Sequence, residues 1–243
     1  MKDALRAAFF IALKDMKTYY FKPPNISWGI LFPFVFVLAF YLRNPVDFSP
    51  LIPGLLALSL LFGTTSMEAI VITFERMTGA MERLMLYPVS TLTILAGKIA
   101  GGAFFGISVT AVLLLGLFFI FPLGIANPPL LFISVIVSSA AFSALGAFVS
   151  VAVKQVFEAQ TLANFFRFPM IFLSGVFIPV SALPPSLRPV AYAMPLTYSV
   201  DILKVSFGYT AEILPPAASL TVLLAFTVVF LALSVRIMNG RSE

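Results

Sequence analysis

Residues 75–98, ERMTGAMERLMLYPVSTLTILAGK, hold the one cluster of acidic and basic side chains that lies between two long apolar blocks. Met77, Ala80, Met81, Leu84 and Met85 fall at helical spacing, with Glu75, Arg76, Glu82 and Arg83 placed before and between them. That pattern predicts a short two-faced helix. Pro88 lacks an amide hydrogen and biases Tyr87 away from helical angles, so the helix is expected to stop near Leu86. Thr91 or Thr93 then starts the next one. On spacing alone the stretch is an amphipathic connector between two apolar segments, a common feature.

Those segments belong to a membrane. Apolar residues make up 60% of the chain and charged residues 10%, against roughly 25% charged in soluble domains. Such a chain has too little polar surface to coat a water-exposed globule. Its 243 residues accommodate six spans of about 20 residues each plus connectors, which leaves no length for a soluble catalytic domain as well. The spans are expected near 26–42, 51–74, 98–121, 130–153, 157–182 and 217–238, with the connector at 75–97. Pro23 and Pro24 precede the first, Asn25 caps it, Pro33 kinks it, and Trp28 and Tyr41 sit at its two boundaries as interfacial aromatics do. The uncharged run from Ile99 to Val153 is too long for one span and is divided by Phe121-Pro122-Leu123-Gly124 and Asn127-Pro128-Pro129. The fifth span is short for a bilayer unless its helix starts upstream, near Phe157. Residues 183–216 are rich in proline yet too apolar for an ordinary loop.

Residues 1–24 resemble a signal peptide only superficially, because Arg6, Lys14, Asp15 and Lys17 interrupt the apolar run and no small-residue cleavage pattern follows. Leu5, Phe9, Ala12, Leu13 and Met16 instead form one stripe, which predicts a helix lying in the membrane interface with its basic side chains among lipid headgroups. With both termini inside, the outer face keeps only Arg43, Arg188 and Lys204 of the 15 basic residues. Inverting the chain would reverse this bias, so an even number of spans with cytoplasmic termini is expected. The net charge of +5 therefore reflects membrane orientation and not nucleic-acid binding.

With no Cys and no His, the chain has no thiolate or imidazole to ligate a metal, no disulfide framework and no histidine base. The phosphate-cradling pattern GxxxxGK[ST] is absent, since Gly97-Lys98 is followed by Ile99. A Ser–Lys dyad is formally possible, but Lys98 and Lys154 lie at span ends, where basic anchors are expected anyway. Two ionisable residues fall inside predicted spans. Glu68 lies about 10 Å from the end of the second, on roughly the same face as Glu75, and Arg167 about 15 Å into the fifth. A buried ionised carboxylate is costly unless paired, protonated or wet. Pairing of Glu68 with Arg167 is one solution; a protonated or hydrated Glu68 with a snorkelling Arg167 is the other.

The run Glu75-Arg76-x-x-Gly79-x-x-Glu82-Arg83-Leu84-x-x-x-Pro88-Val89-Ser90, followed by Leu95-x-Gly97-Lys98, resembles the first cytoplasmic loop of ABC type-2 permeases, the membrane halves of ATP-driven exporters. Downstream, Asn164, then Phe172-Leu173-Ser174-Gly175-Val176-Phe177-Ile178-Pro179, Leu183-Pro184 and Pro195-Leu196-Thr197-Tyr198-x-x-Asp201-x-Leu203-Lys204, is similar to that family's C-terminal signature, with Lys204 where Arg is frequent. The resemblance implies an all-α membrane protein of six transmembrane helices, with an N-terminal interfacial amphipathic helix and a cytoplasmic coupling helix. It also implies that 183–216 dips back into the outer leaflet as a re-entrant segment. It further implies a multi-pass cell-membrane protein that acts as a homodimer or with a similar permease, and whose substrate pathway is opened by a separate ATP-binding subunit. ATP and Mg would be held by that partner and no cofactor by this chain. Glu75, Arg76, Gly79, Glu82, Arg83, Leu84 and Pro88 would form the coupling contact. The rival reading is an ion-coupled secondary transporter or channel working through Glu68 without an ATPase; a third is a membrane scaffold without transport.

Overall fold

A computed structural model describes residues 2–22, 34–35, 37–39, 41–42, 49–121 and 123–240. The expected first span, with Asn25, Trp28 and Pro33, falls mostly outside these residues. Helix α1 (Lys2–Asp15) runs into a π-helical turn, Met16–Tyr20. After a 3-10 turn at Ser49–Leu51 come α2 (Ile52–Met77), α3 (Ala80–Met85), α4 (Thr91–Ile120), α5 (Pro128–Ala152) and α6 (Val156–Leu173). The chain continues through a second 3-10 turn at Val180–Ala182 into α7 (Arg188–Tyr192), α8 (Pro195–Ser206) and α9 (Pro216–Asn239).

Local chemistry sets the helix ends. Ser90 caps α4 by accepting the Thr93 amide at 3.2 Å, and Asn127 Oδ1 accepts the Leu130 amide at 3.1 Å ahead of Pro128 and Pro129 in the first turn of α5. Each cap satisfies an amide that the helix cannot, and proline is tolerated there because it lacks one. At α6, Glu158 Oε2 accepts the Lys154 and Gln155 amides at 3.0 and 3.2 Å.

Among the described residues, four helical segments are long and apolar enough to cross a membrane: Ser49–Met77, Thr91–Ile120, Pro128–Ala152 and Pro216–Asn239. They coincide with the expected second, third, fourth and sixth spans. Helix α6 begins where the fifth span was expected but stops at Leu173, after 18 residues, where Ser174 closes the helix and Gly175 turns the backbone to φ 81°. Beyond it, α8 is buried along most of its length, from Pro195 to Leu203.

Helix α2 is the axis of the bundle. It is flanked by α4, α5, α6 and α8, and Leu55, Leu56, Leu60 and Leu61 are fully enclosed. Helix α1 lies across the start of α4, where Gly97 and Gly101 meet Ala8 and Ala12: a Cβ at Gly97 would come within 2.7 Å of the Ala8 carbonyl oxygen. Small residues permit this backbone approach. Of the stripe expected on α1, Ala12 takes part in this contact. Ile11, Ala12 and Asp15 face inward, whereas Leu5 and Phe9 are 70% and 61% exposed. The contact sets Ala8, Ile11 and Ala12 against Gly97 and Gly101 and leaves Leu5 and Phe9 outside it.

Gly97→Val should therefore lift α1 from α4. Limited trypsin digestion of the purified protein is expected to cut at Lys14 or Lys17 in this variant and to spare both in the parent.

Candidate functional site at the polar connector

The connector is built as its sequence suggests. Helix α2 ends at Met77 with Thr78 as its cap, Gly79 takes a left-handed φ of 71°, which a residue with a Cβ adopts only at a cost, and α3 follows with Leu86 as its last capping position. Met81 is the inward anchor, 1% exposed in a cluster with Ile72, Ile94 and Leu95. On the outer side Glu82, Arg83 and Pro88 are exposed, together with Met77, Leu86 and Tyr87. Leu84 is half-buried.

The other two expected coupling residues point into the protein. Arg76 Nη1 donates to the Ser150 and Val153 carbonyls at 2.8 and 3.1 Å, placing a cation on the unsatisfied carbonyls at the end of α5. Glu75 is fully buried. Its Oε2 accepts a hydrogen bond from Lys98 Nζ on α4, and its Oε1 accepts one from Lys14 Nζ at 2.5 Å. Lys98, also fully buried, donates to Asp15 Oδ2 at 3.0 Å. Asp15 Oδ1 lies 2.9 Å from Lys14 Nζ, an ion pair without hydrogen-bond geometry. Two cations thus alternate with two carboxylates and the cluster is neutral. Burial alone would lower the Lys14 pKa, but its hydrogen bond to Glu75 and its pairing with Asp15 hold it above its ordinary value, so it stays charged at neutral pH. Lys98, expected as a headgroup anchor, is the hub of this cluster. The signal in the sequence was Asp15 at the end of an amphipathic helix and a lysine just inside an apolar block, with nothing to show that they meet.

Two turns up α2, Glu68 faces the same N-terminal segment. It is fully buried, and Tyr20 Oη donates to its Oε1 at 2.8 Å. Gly102 of α4 and Gly146 of α5 make its slot: a Cβ at Gly146 would sit 2.7 Å from Glu68 Cβ, and one at Gly102 would overlap the carboxylate. Glu68 Oε2 has no hydrogen-bond partner. Arg167 lies elsewhere, beside Ser66 and Asn164. The Glu68–Arg167 pair does not form within the chain, because Ser66 and Glu68 are two residues apart, some 200° around the helix, and look toward different neighbours. Among the described residues, no group of His, Cys, Asp and Glu could hold a metal ion.

Residues 7–208 match the sequence profile of the ABC-2 type transporter family. The chain belongs to that family. It is similar to the inner membrane transport permease YadH of Escherichia coli strain K12, with 26% identity over 184 residues that span 74% of this chain and 70% of YadH. YadH of Shigella flexneri matches to the same extent.

In this permease the C-terminal signature knits the segment after α6 to α8. Lys204 Nζ donates to the Gly175 carbonyl at 2.9 Å, and Asp201 accepts the Glu212 and Leu214 amides at 2.8 and 3.3 Å. Tyr198 Oη donates to the Tyr192 carbonyl at 2.7 Å, and Ser174 Oγ reaches Met194 Sδ at 3.8 Å. Pro195 opens α8, while the Pro179 and Pro184 carbonyls accept turn hydrogen bonds from Ala182 and Leu187.

Removing Lys98 or Glu75 leaves a buried charge without its partner. Lys98→Met and Glu75→Gln should each destabilise the permease by about 3 kcal/mol or more. The double variant should lose clearly less than the sum of the two, as read by thermal unfolding in detergent.

Proposed function

We propose that the chain is the membrane-spanning subunit of an ATP-driven exporter, forming the substrate pathway as a dimer and driven by a separate ATP-binding subunit. The observation that carries this reading is the two-sided build of the connector. Met81 and Glu75 lock its inner side to the bundle, while Met77, Glu82, Arg83, Leu86 and Tyr87 present an apolar and charged outer surface. Single apolar side chains on a surface need no explanation, but Leu86 at 85% and Tyr87 at 67% exposure, adjacent and next to a charge pair, fit a docking contact. Six spans with both termini in the cytoplasm put this surface on the side where ATP is found, and the bias of basic residues supports that orientation. Family membership and the name of the YadH relative support a cell-membrane location. ATP and Mg belong to the partner; Glu75, Arg76, Glu82 and Arg83 transmit force and do no bond-breaking chemistry.

The mechanical consequence follows from the contacts. A push on α3 reaches α2 through the short Thr78-Gly79 link, α5 through Arg76, and α1 and α4 through Glu75. It therefore tilts several helices at once and alternates the exposure of the pathway at the dimer interface. The buried Glu68, with one oxygen unpartnered, favours a second reading in which ion movement through that carboxyl drives transport without a partner.

Affinity purification of the tagged permease from its native membrane should recover an ATP-binding subunit with a P-loop. The double variant Leu86→Asp, Tyr87→Asp, expressed at parental levels, should recover about a tenth or less, as expected when two anchors of a docking site are lost. Ion flux through the purified permease alone in liposomes, with no subunit recovered, would favour Glu68 and contradict the proposal.

A further inference from the structure

Arg167 and Lys98 are the two cations buried most completely among the described residues, and the chain treats them differently. Lys98 has two carboxylates. Among the described residues Arg167 has none: Nε donates to the Ala163 carbonyl at 3.3 Å, Nη1 to Ser66 Oγ, Nη2 to Asn164 Oδ1 at 2.8 Å, and the guanidinium lies 4.7 Å from the centre of the Phe62 ring. Three of its five N–H groups meet neutral acceptors, so no described carboxylate compensates this charge inside a membrane-spanning fold, where such residues usually mark a ligand path. Glu68 does not serve as its counter-ion, being held by Tyr20 on another side of α2.

Its position suggests what does. Ser66 and Asn164 are partly exposed, so the charge lies just beneath the surface between α2 and α6. Ser66 belongs to the row Phe62, Ser66, Ile70 and Phe74, the open row of an otherwise buried helix. On α6, Phe168, the neighbour of Arg167 in the chain, is exposed. A fixed cation with spare donors, rimmed by aromatic rings, matches an amphiphile with one anionic group and a hydrocarbon body. Carboxylate, phosphate and sulfate all suit the fork of a guanidinium.

We propose that Arg167, with Ser66 and Asn164, binds the anionic group of an amphipathic cargo. The word cargo rests on the exporter reading above; the anion site does not.

The test is equilibrium binding of radiolabelled dodecyl phosphate to the full-length permease in phosphatidylcholine nanodiscs, with no ATP-binding subunit present. Saturable binding is expected, competed by dodecyl sulfate and not by dodecyltrimethylammonium. Arg167→Gln should weaken it at least about tenfold, the scale of a lost hydrogen bond to a charged group, and Arg167→Lys should restore part of it. Should Arg167→Gln fail to fold, Asn164→Leu keeps the charge, removes a rim donor, and should weaken binding several-fold. Equal binding of the cationic amphiphile, or unchanged binding in a folded Arg167→Gln or Asn164→Leu variant, overturns the site. Loss of dodecyl phosphate binding when phosphatidylglycerol is added to the disc overturns the cargo assignment, because a bilayer lipid then fills the site. Since no partner takes part, binding without recovery of an ATP-binding subunit from native membranes overturns the exporter reading alone.

Discussion

One lysine between two carboxylates holds the connector end of this permease together. Lys98 on α4 draws Glu75 from the last turn of α2 and Asp15 from the end of α1, and Lys14 completes a neutral ring. Each charge taken singly would be expensive in an apolar surrounding. Paired and hydrogen-bonded, they cost far less, and they fix three elements that hydrophobic burial alone would leave free to slide. Hydrophobic contact has little directional preference; a hydrogen-bonded ion cluster has a strong one. The register of α1 on α4, with Ala8 and Ala12 against Gly97 and Gly101, and the seating of Tyr20 on Glu68 both agree with the position that the cluster imposes.

Much of this was legible in the residues. The connector could be read because its signals are local: helical spacing through Met81, a glycine before it and a proline after it. Four apolar segments were equally plain from length and composition. What depends on tertiary contact was not. Apolar periodicity in α1 carries no signal of its contact with α4, which rests on the close approach of Ala8 and Ala12 to Gly97 and Gly101. Lys98 looked like a headgroup anchor because it ends an apolar block, and its partners are 83 and 23 residues away. Glu75 and Arg76 looked like surface charge because they adjoin Glu82 and Arg83, although the break at Gly79 puts the two pairs on separate helices, one pair turned inward and the other outward.

The division of the connector into a locked inner side and an open outer side gives the proposed mechanism its physical content. A lever needs a rigid attachment and a free contact. The attachment is Met81 in its apolar pocket, Arg76 on the α5 carbonyls and Glu75 in the charge cluster. The free contact is the surface from Met77 to Pro88. In the proposed topology this surface faces the cytoplasm, and work done on it by nucleotide binding elsewhere is delivered to α2, the helix that touches most of the bundle.

The absence of cysteine from the sequence makes the most direct test simple, since one substitution creates a unique thiol. Leu86→Cys should react with a membrane-impermeant maleimide in inside-out vesicles stripped of peripheral proteins, and the ATP-binding subunit, when added back, should protect it. Reaction from the outside of intact cells, or a labelling rate in the stripped vesicles that the subunit leaves unchanged, would contradict the account.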